Sequence, residues 1–113
     1  MALPLNVFKT ITKVATTNPV GVYTAPVGYT GVVLLAQVAN IDSNTHNVSF
    51  SHQRSSLGIA VTTEIVKDFA VQGKDSISLL QGKLTLESGD VLVLSASNAS
   101  NIKFIASVLE TLN

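Results

Sequence analysis

The chain has 113 residues, 46% hydrophobic and 12% charged, with seven basic against seven acidic side chains and no cysteine or tryptophan. That length makes one domain with a core of its own and leaves no room for two, and the apolar share excludes a disordered chain. Charge at about half the usual share of roughly 25% suits either a subunit that meets its own copies without repulsion or a small, charge-poor monomer. The lysines and arginine, scattered singly from Lys9 to Lys103, make no basic stripe for nucleic acid.

The opening MALPLNVFKT has neither the basic n-region nor the apolar run of a signal peptide, which implies a chain made in a cytoplasm. "NVFKTITKVAT" alternates weakly, and its lysines are the kind of charge that blunts an edge strand. "GVYTAP" predicts a brief second strand ended by Pro26, and Pro26-Val27-Gly28 a corner. From Tyr29 to Ile41 the run is apolar on both faces around Val32 to Leu35, which predicts a central strand covered on both sides. At about half the length of a membrane-spanning helix, its apolar core predicts no membrane partner.

Asn40 to Asn44 predicts a polar hairpin loop. The following "THNVSFSHQ" alternates with His46, Val48, Phe50 and His52 on one face. Over 55–72 the β-branched content favours strand, although Ile65, Val66 and Phe69 also have helical spacing. "SISLL", "KLTLE" and "VLVLSAS" follow as strands broken by turns at Gln72–Asp75, Ser88-Gly89-Asp90 and Asn98–Asn101, and "IKFIASVLETL" closes the chain. About eight strands with turn signals every ~8–15 residues predict an all-β antiparallel sandwich, a jelly roll or an immunoglobulin-like Greek key. It forms a single domain over 1–113, with 1–16 as an N-terminal arm or edge strand.

No catalytic constellation emerges. His46 and His52, six residues apart on one strand, stand about 20 Å from each other, too far for one metal ion. They are expected at the surface or in subunit contacts. Glu87 and Asp90 in "LESGD" imitate a carboxylate pair but read better as turn residues. No serine sits in Gly-x-Ser-x-Gly, and no glycine run makes a phosphate loop. The expectation is a non-enzyme with no cofactor, no metal and no direct nucleic-acid partner. A glycan-binding module would have only Tyr23 and Tyr29 as platforms. Leu3, Leu5 and Phe8 make the start apolar, suited either to pairing inside its own subunit or to reaching a neighbour's sheet edge.

"VYTAPVGYTGVVLLAQVANID" followed by "THNVSF" resembles small virion structural proteins of tailed bacteriophages, particularly marine and cyanophage-like ones. Tyr23, Thr24, Pro26, Gly28, Val32, Val33, Gln37, Asn40, Asp42, His46 and Val48 carry the likeness. "LLQGKLTLESGDVLVLSAS" and the terminal "ASVLETLN" extend it over roughly residues 20 to 111, with 53–72 matching least. The resemblance implies a virion component, assembled in the host cytoplasm, of the head decoration or cement type. It would contact the major capsid protein or other virion proteins, and would form a homo-oligomer, a trimer above other small rings. A neck, tail or fibre component that joins virion parts or binds a host surface glycan is the alternative.

Overall fold

The computed structural model describes residues 6–56 and 59–113. They form nine strands: β1 (Asn6–Val14), β2 (Val20–Thr24), β3 (Tyr29–Asn40), β4 (His46–Ser56), β5 (Ile59–Val71), β6 (Ser76–Ser78), β7 (Leu84–Leu86), β8 (Val91–Ala96) and β9 (Ile102–Leu112). One sheet runs β1-β9-β3-β6, with β7 also on β3, and the other runs β2-β8-β4-β5. Every pairing is antiparallel. The expected all-β sandwich is the fold, with nine strands where about eight were legible.

Alternation builds the core. β9 turns Ile102, Phe104, Ala106 and Val108 inward, and β8 turns Leu92, Leu94 and Ala96 inward from the opposite sheet. Val48 and Phe50 of β4 complete the facing layer, and the Phe50 and Phe104 rings meet between the sheets at 5.5 Å between centroids. Such tilted aromatic contact adds on the order of 1 kcal/mol to the burial itself.

The Pro26-Val27-Gly28 corner carries the chain from β2 in one sheet to β3 in the other. Gly28 takes φ +87°, and the Tyr29 amide donates to the Pro26 carbonyl at 3.1 Å. Asn40–Asn44 is a crossover rather than the expected hairpin loop, since β3 and β4 lie in different sheets. Its cause is the buried Asn40 side chain, whose Nδ2 donates to Asn44 O at 2.8 Å and to Val71 O at 2.9 Å while Oδ1 accepts from the Asp42 amide. One amide thus satisfies three backbone groups, one of them on β5.

The 59–71 segment is strand throughout its length. Register irregularities break its ladder with β4 around Phe50, where Asp68 takes φ 48° and its amide is held by Ser49 Oγ at 2.9 Å. The central strand departs from expectation in a second way. β3 is bulged between Val33 and Leu35, so Leu34 and Leu35 both turn outward and stay 37% and 40% exposed. Only one face of β3 is covered, because a two-layer sandwich has no third layer to place on the other.

At the crossover end, the 72–75 turn packs so closely on the β3–β4 connection that a Cβ on Gly73 would stand 2.2 Å from the Ser43 carbonyl oxygen. Lys74 N and Nζ then bond Asp42 O and Ile41 O, both at 2.9 Å. Gly73→Ala must push two backbone segments apart, and thermal or urea unfolding is expected to show a loss of about 1–3 kcal/mol.

Candidate interaction surfaces

Asp90, buried at the turn that feeds β8, collects donors from β4 and from its own turn. His52 Nε2 donates at 2.9 Å, Arg54 Nε at 3.1 Å and Nη2 at 2.8 Å, and the Glu87 amide at 3.0 Å. Arg54 also meets Glu87 Oε2 at 2.8 Å. The alternation of β4 sends His52 to the rim of the core, and the turn brings Asp90 to it. The Arg54 fork, chief among these donors, draws the Asp90 carboxyl from 3.8 down to about 2. The "LESGD" acids are thus a structural clamp in which Asp90 is fully occupied.

A second clamp ties the two sheets. Tyr23 on β2 donates to Glu110 Oε2 on β9 at 2.5 Å, and Lys9 Nζ on β1 lies 3.2 Å from Oε1. Burial, then the adjoining carboxylate, pushes the Tyr23 hydroxyl well above the ordinary phenol range. Gly31 stands opposite Glu110 in the ladder, and a Cβ there would come within 3.3 Å of the Tyr23 hydroxyl, so the glycine leaves room for the pair. Glu110 was not singled out from the sequence. The available signal was its place as the next inward position after Ile102, Phe104, Ala106 and Val108. Tyr23 is buried and offers no platform to a sugar.

The expected contact residues are not brought together. Leu3 and Leu5 lie outside the described residues. Phe8 stands 74% exposed on the outer face of β1, which is itself paired with β9 in its own subunit. His46 is half-buried and bonds Asp42 Oδ2 at 2.8 Å, holding that carboxyl below its usual range, while His52 belongs to the Asp90 clamp. Each histidine is engaged by its own carboxylate, at opposite ends of the core face of β4. Among the described residues, no group of three or more His, Cys, Asp or Glu side chains could hold a metal ion.

Two of the concavities on the described surface have distinct linings. A shallow groove of about 390 Å³ runs over the outer face of the four-stranded sheet, floored by Val91 and Val93 and flanked by Ser51, Gln53, Thr62 and Glu64. Among the described residues, those four polar side chains form no hydrogen bond within the chain. The other, of about 630 Å³, opens between β5 and the β6 edge and is lined by Ile65, Phe69, Ile77 and Leu80.

No protein-family model matches the chain, and no curated protein matches it in sequence. Several solved structures match it in fold, among them two that do so over nearly its whole length. A chain from the acidic-stable capsid structure of Helicobacter pylori bacteriophage KHP30 superposes with TM-score 0.56 at 15% identity, covering 96% of this chain and 89% of that one. A chain from the Bacillus endospore appendages, described as a family of disulfide-linked pili, gives 0.52 at 17% identity, covering 96% and 88%. At these identities the likeness is one of fold.

The depressed carboxyl of Asp90 has a pH consequence. Its unfolded value is 3.8 and its folded value about 2, so its stabilisation is complete above about pH 4 and fades as pH falls toward 2. The shift corresponds to about 2 kcal/mol. Urea unfolding followed from about pH 5 down to about pH 2 is expected to lose that amount, and Asp90→Asn to remove this part of the slope while lowering stability at neutral pH.

Proposed function

We propose that the chain is a non-enzymatic structural subunit of a phage particle, decorating or cementing the head through repeated contacts with the shell and with its own copies. The observation that carries this reading is the likeness to a phage-capsid chain across nearly the full length of both proteins. The internal chemistry supports it. Asp90, Glu110 and Asn40, the buried polar side chains, are all occupied by partners within the chain, and none of the described buried side-chain polar atoms is left without one. Groups so tied down hold strands in place and have no free valence for a substrate.

The chain contains no cysteine, so it has no route to the disulfide links named for the pili that share its fold. Its assembly rests on non-covalent contacts, each weak and multiplied by the symmetry of a lattice. A second reading, a neck, tail or fibre component, is favoured by the groove on the four-stranded sheet, whose unpartnered hydroxyl, amide and carboxylate groups suit a host surface glycan.

Quantitative mass spectrometry of purified particles separates these. A simple whole-number ratio to the major capsid protein is the expected result and puts the chain on the head lattice. A copy number far below that ratio transfers it to the neck or tail, and complete absence from particles overturns both readings.

A further inference from the structure

The two central strands of the five-stranded sheet carry large apolar side chains on both faces, and the chain covers only one of those faces. β9 sends Ile105 and Leu109 outward, and β3 sends Val32, Leu34 and Leu35 outward. Register assembles these into rows. Phe8, Leu109 and Val32 lie side by side across β1, β9 and β3, and the next rows bring Ser107 beside Leu35 and Ile105 beside Gln37. Ile105 is 42% exposed in the middle of this sheet, where a solvated face ordinarily carries polar side chains. Lys103, opposite Val14 and Ala39 at one end, is the sole charged residue that the described strands place on this face.

We propose that this face is the surface on which two copies of the chain stack, sheet against sheet, about a two-fold axis near Ser107. The inference rests on the assembly role proposed above and names one of its contacts. Area permits it: β1, β9 and β3 with the two three-residue strands β6 and β7 beside β3 present 38 residues, and at ~3.3 Å by ~4.8 Å each they give roughly 600 Å² per copy. The two copies together bury roughly 1,200 Å², the lower bound of specific, stable interfaces. Shape suits it, because the two concavities described above lie off the middle of this face and a flat sheet face is best met by another sheet, ~10 Å away.

Charge selects it as well. With the axis lying across the strands, the two Lys103 residues fall at opposite ends of the stack, and no like charges meet. A foreign partner is ordinarily chosen by charge or by a pocket, and this face offers neither, whereas it complements itself. The stack is isologous and leaves the polar groove and the β5 edge of both copies facing outward.

Sedimentation equilibrium of the full chain at about 100 µM is expected to give twice the chain mass. Ile105→Glu and Leu35→Lys, both at partly exposed positions, should raise the dimer dissociation constant at least about 30-fold with the far-ultraviolet circular dichroism unchanged. Glu64→Lys, on the opposite sheet, should leave it as it is. The cysteine-free chain allows a second test that tolerates no folding excuse. A short bis-maleimide should join copies of Ser107→Cys and not copies of Ser51→Cys. A monomeric chain, or an oligomer that keeps its mass in folded Ile105→Glu, overturns the stack. Presence in particles is read separately by copy number. A chain found in particles yet monomeric in solution therefore refutes the stack alone, and a dimer absent from particles refutes the particle role alone.

Discussion

The ladder between β3 and β9, running from Tyr29 opposite Leu112 to Asn40 opposite Ile102, decides which side of every neighbouring strand faces the core. β1 reads its register from β9, and β6 and β7 read theirs from β3. A slip of one residue would exchange Phe104 and Val108 for Ile105 and Leu109 at the core, and because both sets are apolar, hydrophobicity alone resists that slip weakly. The polar residues supply the discrimination. Glu110 and Asn40 are inward positions at the two ends of this same ladder, and each finds partners only in the observed register. Turned outward, Glu110 would lose Tyr23 and Asn40 would leave the Asn44 and Val71 carbonyls without their donor.

The buried polar groups therefore act as pins more than as sources of net stability. A buried ion pair gains little over a well-packed apolar substitute, but removing one partner leaves an uncompensated charge. Asp90 pins the turn before β8 to β4, and Glu110 pins β9 to β2 across the sandwich, with Lys9 of β1 on its other oxygen. Together with Asn40 they hold both ends of a core that is otherwise aliphatic apart from the Phe50–Phe104 contact and Tyr23. The same arrangement leaves the molecule two-faced. The four-stranded sheet turns hydroxyl and amide groups to its outer groove, and the five-stranded sheet turns out Phe8, Val32, Leu34, Leu35, Ile105 and Leu109 among its polar side chains. That asymmetry suits a subunit with one face toward its own kind and the other toward its surroundings.

Strand existence and type were legible from the chain because period-two alternation and turn chemistry are local properties. Pro26-Val27-Gly28 predicted its corner, and Leu92, Leu94, Phe104 and Val108 could be placed in a core by counting. The clamps were not legible. Tyr23 and Glu110 are 87 residues apart, Arg54 and Asp90 are 36, and nothing in either neighbourhood names the other. His46 and His52 drew notice as a pair on one strand, while each belongs to a different carboxylate.

By itself, then, the sequence determined an all-β, cysteine-free, charge-poor chain whose strands and corners follow from side-chain size, branching and the freedom of Gly28. Which sheet each strand joins was decided only in three dimensions, as Asn40–Asn44 demonstrates: a polar loop reads the same whether it closes a hairpin or crosses between layers, and the buried Asn40 amide makes the difference. The covering of β3 was likewise a tertiary matter. Residues apolar on both faces announce that both want burial, but two layers supply burial for one, and Leu34, Leu35 and Ile105 stay partly exposed.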